Sequence, residues 1–265
     1  MQWEPDGSRT PQALGDDADL ALAAAYAPIV LFDEAEPFLP VTVGVTVFRD
    51  ESDSPSFPRR ITREFTPSWD VAIEYAIWWD WDIGHLYELE HVWSYVGAGG
   101  DLVWAEGSWH GAFSSMILAG GRLAAEGSRP LLLSQPGKHA FAPEQVCMDR
   151  ILPLAVQEAA RAAGKDGVLI KERYAPAIHV REGDHQRAAA WLRTRAFVPT
   201  MQFTRRFEVS RELLVPWPLL DEWIPVRVNW WLKQLRAEDG KFVVCHGRLI
   251  FMAGRTPSRA RSMRA

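Results

Sequence analysis

The segment DWDIGHLYELEHV, Asp80 to Val92, gathers four carboxylates and two histidines in thirteen residues. It directly follows VAIEYAIWW, the most apolar alternating run in the first half of the chain. Charged groups are costly to bury unless they are paired or hold a metal. Crowded carboxylates also raise one another's pKa, a conflict that a divalent cation removes. Carboxylate oxygens with one imidazole suit Mg²⁺, Ca²⁺ or Mn²⁺ better than Zn²⁺, and also admit Fe²⁺.

Elements to position these groups follow from period-two alternation. Val71, Ile73, Tyr75, Ile77 and Trp79 predict one strand, and Tyr87 to Val96 a second. Gly84 permits a tight turn between them. Glu88 and Glu90 stand two apart and share a side, as do Asp80 and Asp82. Folding the hairpin therefore brings Asp82, His85, Glu88 and Glu90 to one end of a sheet, where they are the candidate metal ligands. The plainer reading is a solvated acidic turn with salt bridges to arginines such as Arg59, Arg60 and Arg63. Two further histidines sit beside glycine at strand ends, His110 in EGSWHGAF and His139 in QPGKHAFAP. They are the candidate catalytic acid or base, or contacts for an anion. His179, His185 and His246 have no such setting.

Around this hairpin the chain reads as mainly β. Ile29–Phe32, Val41–Phe48, Leu102–Trp109, Arg129–Ser134 and Phe242–Met252 are strand candidates. The run Val71 to Trp109 suggests an antiparallel meander. Asp16–Tyr26 predicts a short helix with acids in its first turn. Ala112–Glu126 and Leu152–Ala163 are helical in composition, Ala188–Arg195 less strongly so, and Leu213–Leu235 is interrupted by Pro216, Pro218 and Pro225. The expectation is an α+β, mainly β fold: an antiparallel β-sandwich with helical insertions and a partly helical C-terminal half. Residues 1–15 are expected to be loosely attached, 16–253 to form one domain, and 254–265 a basic tail with four arginines and no acid.

At 265 residues, 48% hydrophobic and 24% charged, the chain has an ordinary globular balance. A net charge of −5 argues against nucleic acid, which calls for a basic surface. Cys147 and Cys245 offer no thiolate zinc spacing. No apolar run is long enough to span a membrane. The N-terminus lacks the pattern of a signal peptide, which makes a cytoplasmic location the expectation. Nothing matches a phosphate-binding loop, a dinucleotide fingerprint or a serine-nucleophile motif. Thirteen tryptophans point first to a thick aromatic core and second to an aromatic groove around the cation.

Four short pieces carry a resemblance to known families. YAPIVLFDEAEPFLP (Tyr26 to Pro40) resembles the opening segment of Vps62-like proteins. GHLYELEHV (Gly84 to Val92) resembles both their G.HEGDWEHV segment and the GHRHDWEHV region of the necrosis- and ethylene-inducing-peptide-like (NPP1-like) proteins. Ser108-Trp109-His110 and Gly137-Lys138-His139-Ala140 match later histidine segments, so the resemblance spans residues 26–143. It implies a β-sandwich with a divalent-cation site at one end. The family's cation-binding histidine, aspartate and last glutamate fall on His85, Glu88 and Glu90, with Asp82 or Asp80 as the preceding acid.

Two functions follow as expectations. One is a metal-dependent hydrolase in which the cation polarises substrate or water while His110 and His139 move protons. The alternative is a non-catalytic module binding a small-molecule, glycan or lipid-headgroup ligand through cation and aromatic faces. A structural ion-pair cluster is the third.

Overall fold

The structure, a computed structural model, describes residues 6–13, 17–64, 66–238, 242–245 and 248–251. Helix α1 (Ala18–Ala25) precedes strands β1 (Ile29–Phe32) and β2 (Thr42–Phe48); β3 (Ser52–Asp53) and β4 (Arg60–Ile61) form a small ribbon in the next loop. The central run is β5 (Val71–Trp81), β6 (Leu86–Val96), β7 (Leu102–Trp109) and β8 (Ala112–Ser115). After them come β9 (Ala125–Glu126), β10 (Arg129–Ser134), β11 (Phe141–Ala142), helices α2 (Gln145–Arg150), α3 (Leu152–Val156) and α4 (Asp184–Arg193), β12 (Arg205–Glu208), β13 (Leu214–Pro216) and α5 (Trp217–Glu238).

Two sheets form the body. One runs β13-β2-β5-β6-β7-β8, the other β11-β10-β1-β12 with β9 on β10. The mainly β, α+β sandwich is as the alternation predicts, and β5 to β7 are the expected meander, which β8 extends by one strand. Two pairings, β1 with β10 and β13 with β2, are parallel instead. Each joins strands distant in sequence, so neither leaves a local turn signal.

Strand β5 is buried on both faces, which explains its nearly continuous apolar sequence. Trp79 reaches the second sheet, meeting Phe32 at 6.4 Å and Phe141 at 6.3 Å between ring centroids. Trp78 points the other way, stacked on Tyr87 at 4.9 Å and edge-on to Trp223 of α5. Gly44 lets α5 lie close on β2, since a Cβ there would come within 2.9 Å of Leu220 and Trp217.

Several local expectations change. Ala112–Glu126 is not a helix: β8 pairs antiparallel with β7, with Trp109 opposite Ala112. His110 and Gly111 both take positive φ and reverse the chain in two residues, and Gly121 and Gly127 also take positive φ. The prolines do not break α5. Pro218 lies in its first turn, where its missing N–H costs nothing, and Pro225 is carried inside. α3 continues as a π-helical turn over Gln157–Arg161. Where a loose N-terminus is expected, the carbonyls of Asp6 and Arg9 accept from Trp223 Nε1, and that of Gly7 from Arg227. The late strand is a backbone hairpin of Phe242–Cys245 and Arg248–Phe251. The tail 254–265 lies outside the described residues.

Candidate functional site

The β5–β6 turn is held from three sides. Asp82 N–H donates to the His85 carbonyl, and Ile83 N–H to that of Gly137. The Ile83 carbonyl accepts from Gly164, that of Gly84 from Asp166 and Gly167, and that of Gly167 from Leu86. Gly84 N–H is taken by Asp82 Oδ1 at 2.5 Å. A buried turn must satisfy these groups, and here the loop before β11 and residues 164–167 do so. The acids at the turn therefore stand on a fixed backbone.

Three side chains converge there. One ligand atom from each of Asp82, His85 and Glu88 lies within 4.8 Å of the others. His85 Nε2 is 3.8 Å from Asp82 Oδ1 and 3.7 Å from Glu88 Oε2. Asp82 is fully buried, and its Oδ2 has no hydrogen-bond partner. Two carboxylates, one imidazole and an orphaned buried oxygen are a donor set that fits a hard divalent cation. Two lysines already balance part of the charge. Lys138 Nζ is 2.8 Å from Asp82 Oδ1, and Lys171 Nζ is 3.7 Å from Glu88 Oε1. Burial works to raise the Asp82 carboxyl, but His85 and Lys138 outweigh it and hold it below the usual range. Burial likewise disfavours the Lys138 ammonium, and Asp82 more than restores it.

Glu90, the fourth expected ligand, stands outside this trio. Beyond Val92, which faces Gly107, the register of β6 with β7 ends. There the Ser108 hydroxyl replaces a strand partner: it accepts from His91 N–H at 2.6 Å and donates to Glu90 Oε2. Burial first, then the carboxylates of Glu88 and Asp82, push Glu90 up to about 8. The strand alternation put Glu88 and Glu90 within electrostatic reach but did not foresee Ser108.

The splaying of β6 from β7 opens a cleft of about 370 Å³. His85, Glu88, Glu90, His91, His110 and Lys171 give it a polar wall, while Phe57, Leu89 and Leu169 give it an apolar one. His110 thus reaches the cleft. Its φ of 49° belongs to the two-residue β7–β8 turn, and Nε2–H donates to Gln135 Oε1 at 2.7 Å. His139 does not line it. It is fully buried, stacked on Trp79 at 4.6 Å, with Nε2 3.4 Å from Glu36 Oε1. From QPGKHA it is Lys138, one residue earlier, that reaches the acids.

Three other expectations are corrected here. The arginines near the hairpin pair elsewhere: Arg59 with Glu106, Arg60 with Asp53, Arg63 with Asp50. Asp80 is bound by Arg227 and Trp78 and turns away from the trio. Among the described residues no tryptophan lines the cleft; Trp79, Trp81 and Trp93 are buried core, and Trp81 stacks on Trp191 at 4.0 Å. Two cleft residues escaped the sequence reading. His91 is buried with Nε2 2.9 Å from Ser56 Oγ, and burial keeps its imidazole well below its usual value. Lys171 comes from a region with no motif, and only its return to β6 reveals it.

No protein-family model matches the chain, and no curated protein does. Among solved structures there is partial overlap with NLPPya, of the NLP (NPP1-like) proteins. Its complex with glucosamine overlaps at a TM-score of 0.32 and 15% identity, over 51% of this chain and 72% of that one. Its complex with mannosamine gives 0.33 and 15%, over 52% and 75%. At these values the overlap carries no weight for the site, and a relation to Vps62-like proteins is not shown.

Proposed function

We propose that this protein is a divalent-cation-dependent binding module whose cleft takes a small polyhydroxylated ligand such as a sugar. The observation that supports it is the convergence of Asp82, His85 and Glu88, of which His85 and Glu88 line the cleft opened by the β6–β7 splay and Asp82 is fully buried. A cation bound there would supply Lewis acidity toward ligand oxygens. Glu88 and His85 hold the coordinating atoms, and the apolar patch of Phe57, Leu89 and Leu169 offers a face for a ring's C–H groups. Binding is favoured over hydrolysis because only one of the two expected proton-transfer histidines, His110, borders the cleft. His139 has no access to a ligand.

The test is thermal melting of chelator-stripped protein titrated separately with Ca²⁺, Mg²⁺, Mn²⁺ and Zn²⁺. A ligand that binds only the native state at a hundred times its Kd adds about 2.7 kcal/mol. Wild type is expected to gain stability, and Glu88→Gln and His85→Ala to lose the gain. Neutral and acidic monosaccharides are then titrated with and without the active cation. No response of wild type to any cation would sink the reading. Release of a reporter group from aryl glycosides or esters, abolished by His110→Ala, would move it to the hydrolase.

A further inference from the structure

Lys138 occupies the Asp82 oxygen that faces His85. Of the two Asp82 oxygens, Oδ1 faces the His85 imidazole at 3.8 Å, and the same Oδ1 receives Lys138 Nζ at 2.8 Å. Oδ2 faces no donor. The lysine is brought in by the loop before β11, whose Gly137 carbonyl is bonded to Ile83 N–H inside the turn. Its side chain is 13% exposed, so the ammonium is held rather than free to sample solvent. Lys171 makes the contrasting contact. It is 49% exposed, at 3.7 Å, and sits on Glu88 Oε1, whereas His85 Nε2 faces Glu88 Oε2.

We infer that Lys138 is a built-in competitor for the cation site: its ammonium and a divalent cation exclude one another at Asp82 Oδ1. This rests on the cation-binding reading. An ammonium and a divalent ion sharing one carboxylate oxygen repel within a few ångströms in a poorly solvated pocket. Cation entry therefore requires Lys138 to swing away. The residue sets both the affinity and the preference for a cation charged strongly enough to displace it. Without the cation, the ammonium keeps a buried carboxylate from standing unpaired.

The experiment is isothermal titration of Ca²⁺ and Mn²⁺ into wild type, Lys138→Met, Lys138→Gln and Lys171→Met. Both Lys138 variants are expected to bind at least about tenfold tighter than wild type. Lys171→Met should change affinity far less. Binding by the Lys138 variants alone also supports competition. Folded Lys138 variants that bind no tighter than wild type overturn it and leave the cation reading intact. No binding by any form removes both. A second readout uses wild type only: brief acetylation with an N-hydroxysuccinimide ester, followed by peptide mass spectrometry. Saturating Ca²⁺ should raise modification of Lys138 several-fold relative to exposed Lys233. Unchanged labelling, with binding seen by calorimetry, overturns the displacement.

Discussion

Asp80 and Asp82 stand two residues apart at the end of one buried strand, yet they live in opposite chemical settings. Asp80 is gripped by Arg227 through both oxygens at 2.8 and 2.6 Å, and Trp78 Nε1 adds a third bond. Arg227 in turn donates to the Gly7 carbonyl at 2.6 Å and lies over the Trp230 ring at 4.5 Å. Every polar group of that pair is used. Asp82 has two bonds crowded on Oδ1, from Gly84 N–H and Lys138, and nothing on Oδ2. A planar guanidinium closes a carboxylate; an ammonium on a flexible stem leaves it open. The first arrangement is a staple between β5 and α5. The second is a buried acid held in readiness, and that contrast separates a structural acid from a site acid.

The largest effect should come from breaking the staple. Arg227→Met leaves Asp80 buried without its cation and takes the donor away from the Gly7 carbonyl. Removing one member of a buried ion pair typically costs about 3–5 kcal/mol, and denaturant unfolding should show a loss of that order. The cation response should survive in the fraction that folds. A loss under about 1 kcal/mol would erase the distinction, because that is the range of an exposed pair.

Next in size is the pH dependence of the site. Glu90 is pushed up to about 8 by burial and by its acidic neighbours, against about 4.3 in an unfolded chain. A carboxyl whose folded value is raised contributes stability that is fully present below the unfolded value. That contribution is lost as pH rises through the folded one. Glu90 alone should therefore make the cation-free protein less stable by a few kcal/mol between roughly pH 4.5 and 8. Melting curves across that window should slope downward for wild type, and Glu90→Gln should flatten them. An unchanged slope in Glu90→Gln would show that Ser108 holds an ionised carboxylate instead.

Asp82→Asn should be milder. It removes the charge that opposes Glu88 and Glu90 but leaves Lys138 without its partner, for a net cost of about 1–2 kcal/mol. Its signature is the complete loss of cation-induced stabilisation in melting scans. A cost as large as that of Arg227→Met would make Asp82 a second staple.

Much of this contrast was legible in the sequence, and its missing parts have physical reasons. Alternation located the β5–β6 hairpin, the turn at Gly84 and three residues of the cluster. These depend on neighbours in sequence, where period and turn chemistry act. Alternation does not assign Asp80, because its partner Arg227 is 147 residues away on a helix whose sequence prolines interrupt. Glu90 was given to the cluster because Ser108, which takes it, arrives through the register of a different strand pair. His139 looked like a presented strand-end histidine, but its loop turns inward with positive φ and seats the ring against Trp79. A shift of one position hands the contact with the acids to Lys138. Tryptophan content correctly read as core, since large rings gain most from burial between two sheets and a helix.

The smallest effect should come from Gly84→Ala, and it probes the open acid most directly. Gly84 does not need its freedom for a left-handed backbone; the constraint is space. A Cβ there would lie 3.0 Å from Asp82 Oδ1, 3.3 Å from Asp166 Oδ2 and 3.5 Å from Lys138 Nζ. The carboxylate cannot retreat freely, because it accepts from the backbone N–H of Gly84 itself. A shift of a few tenths of an ångström must be shared between Asp82 and the lysine, whose stem is the softer of the two. The stability cost should stay under about 1 kcal/mol, as for a tight but accommodated methyl. Cation affinity should nevertheless change several-fold, because the added methyl presses on the oxygen where ammonium and cation compete. If Gly84→Ala altered stability and left the cation titration untouched, Oδ1 would not be the contested oxygen, and the orphaned Oδ2 would have to carry the cation in its place.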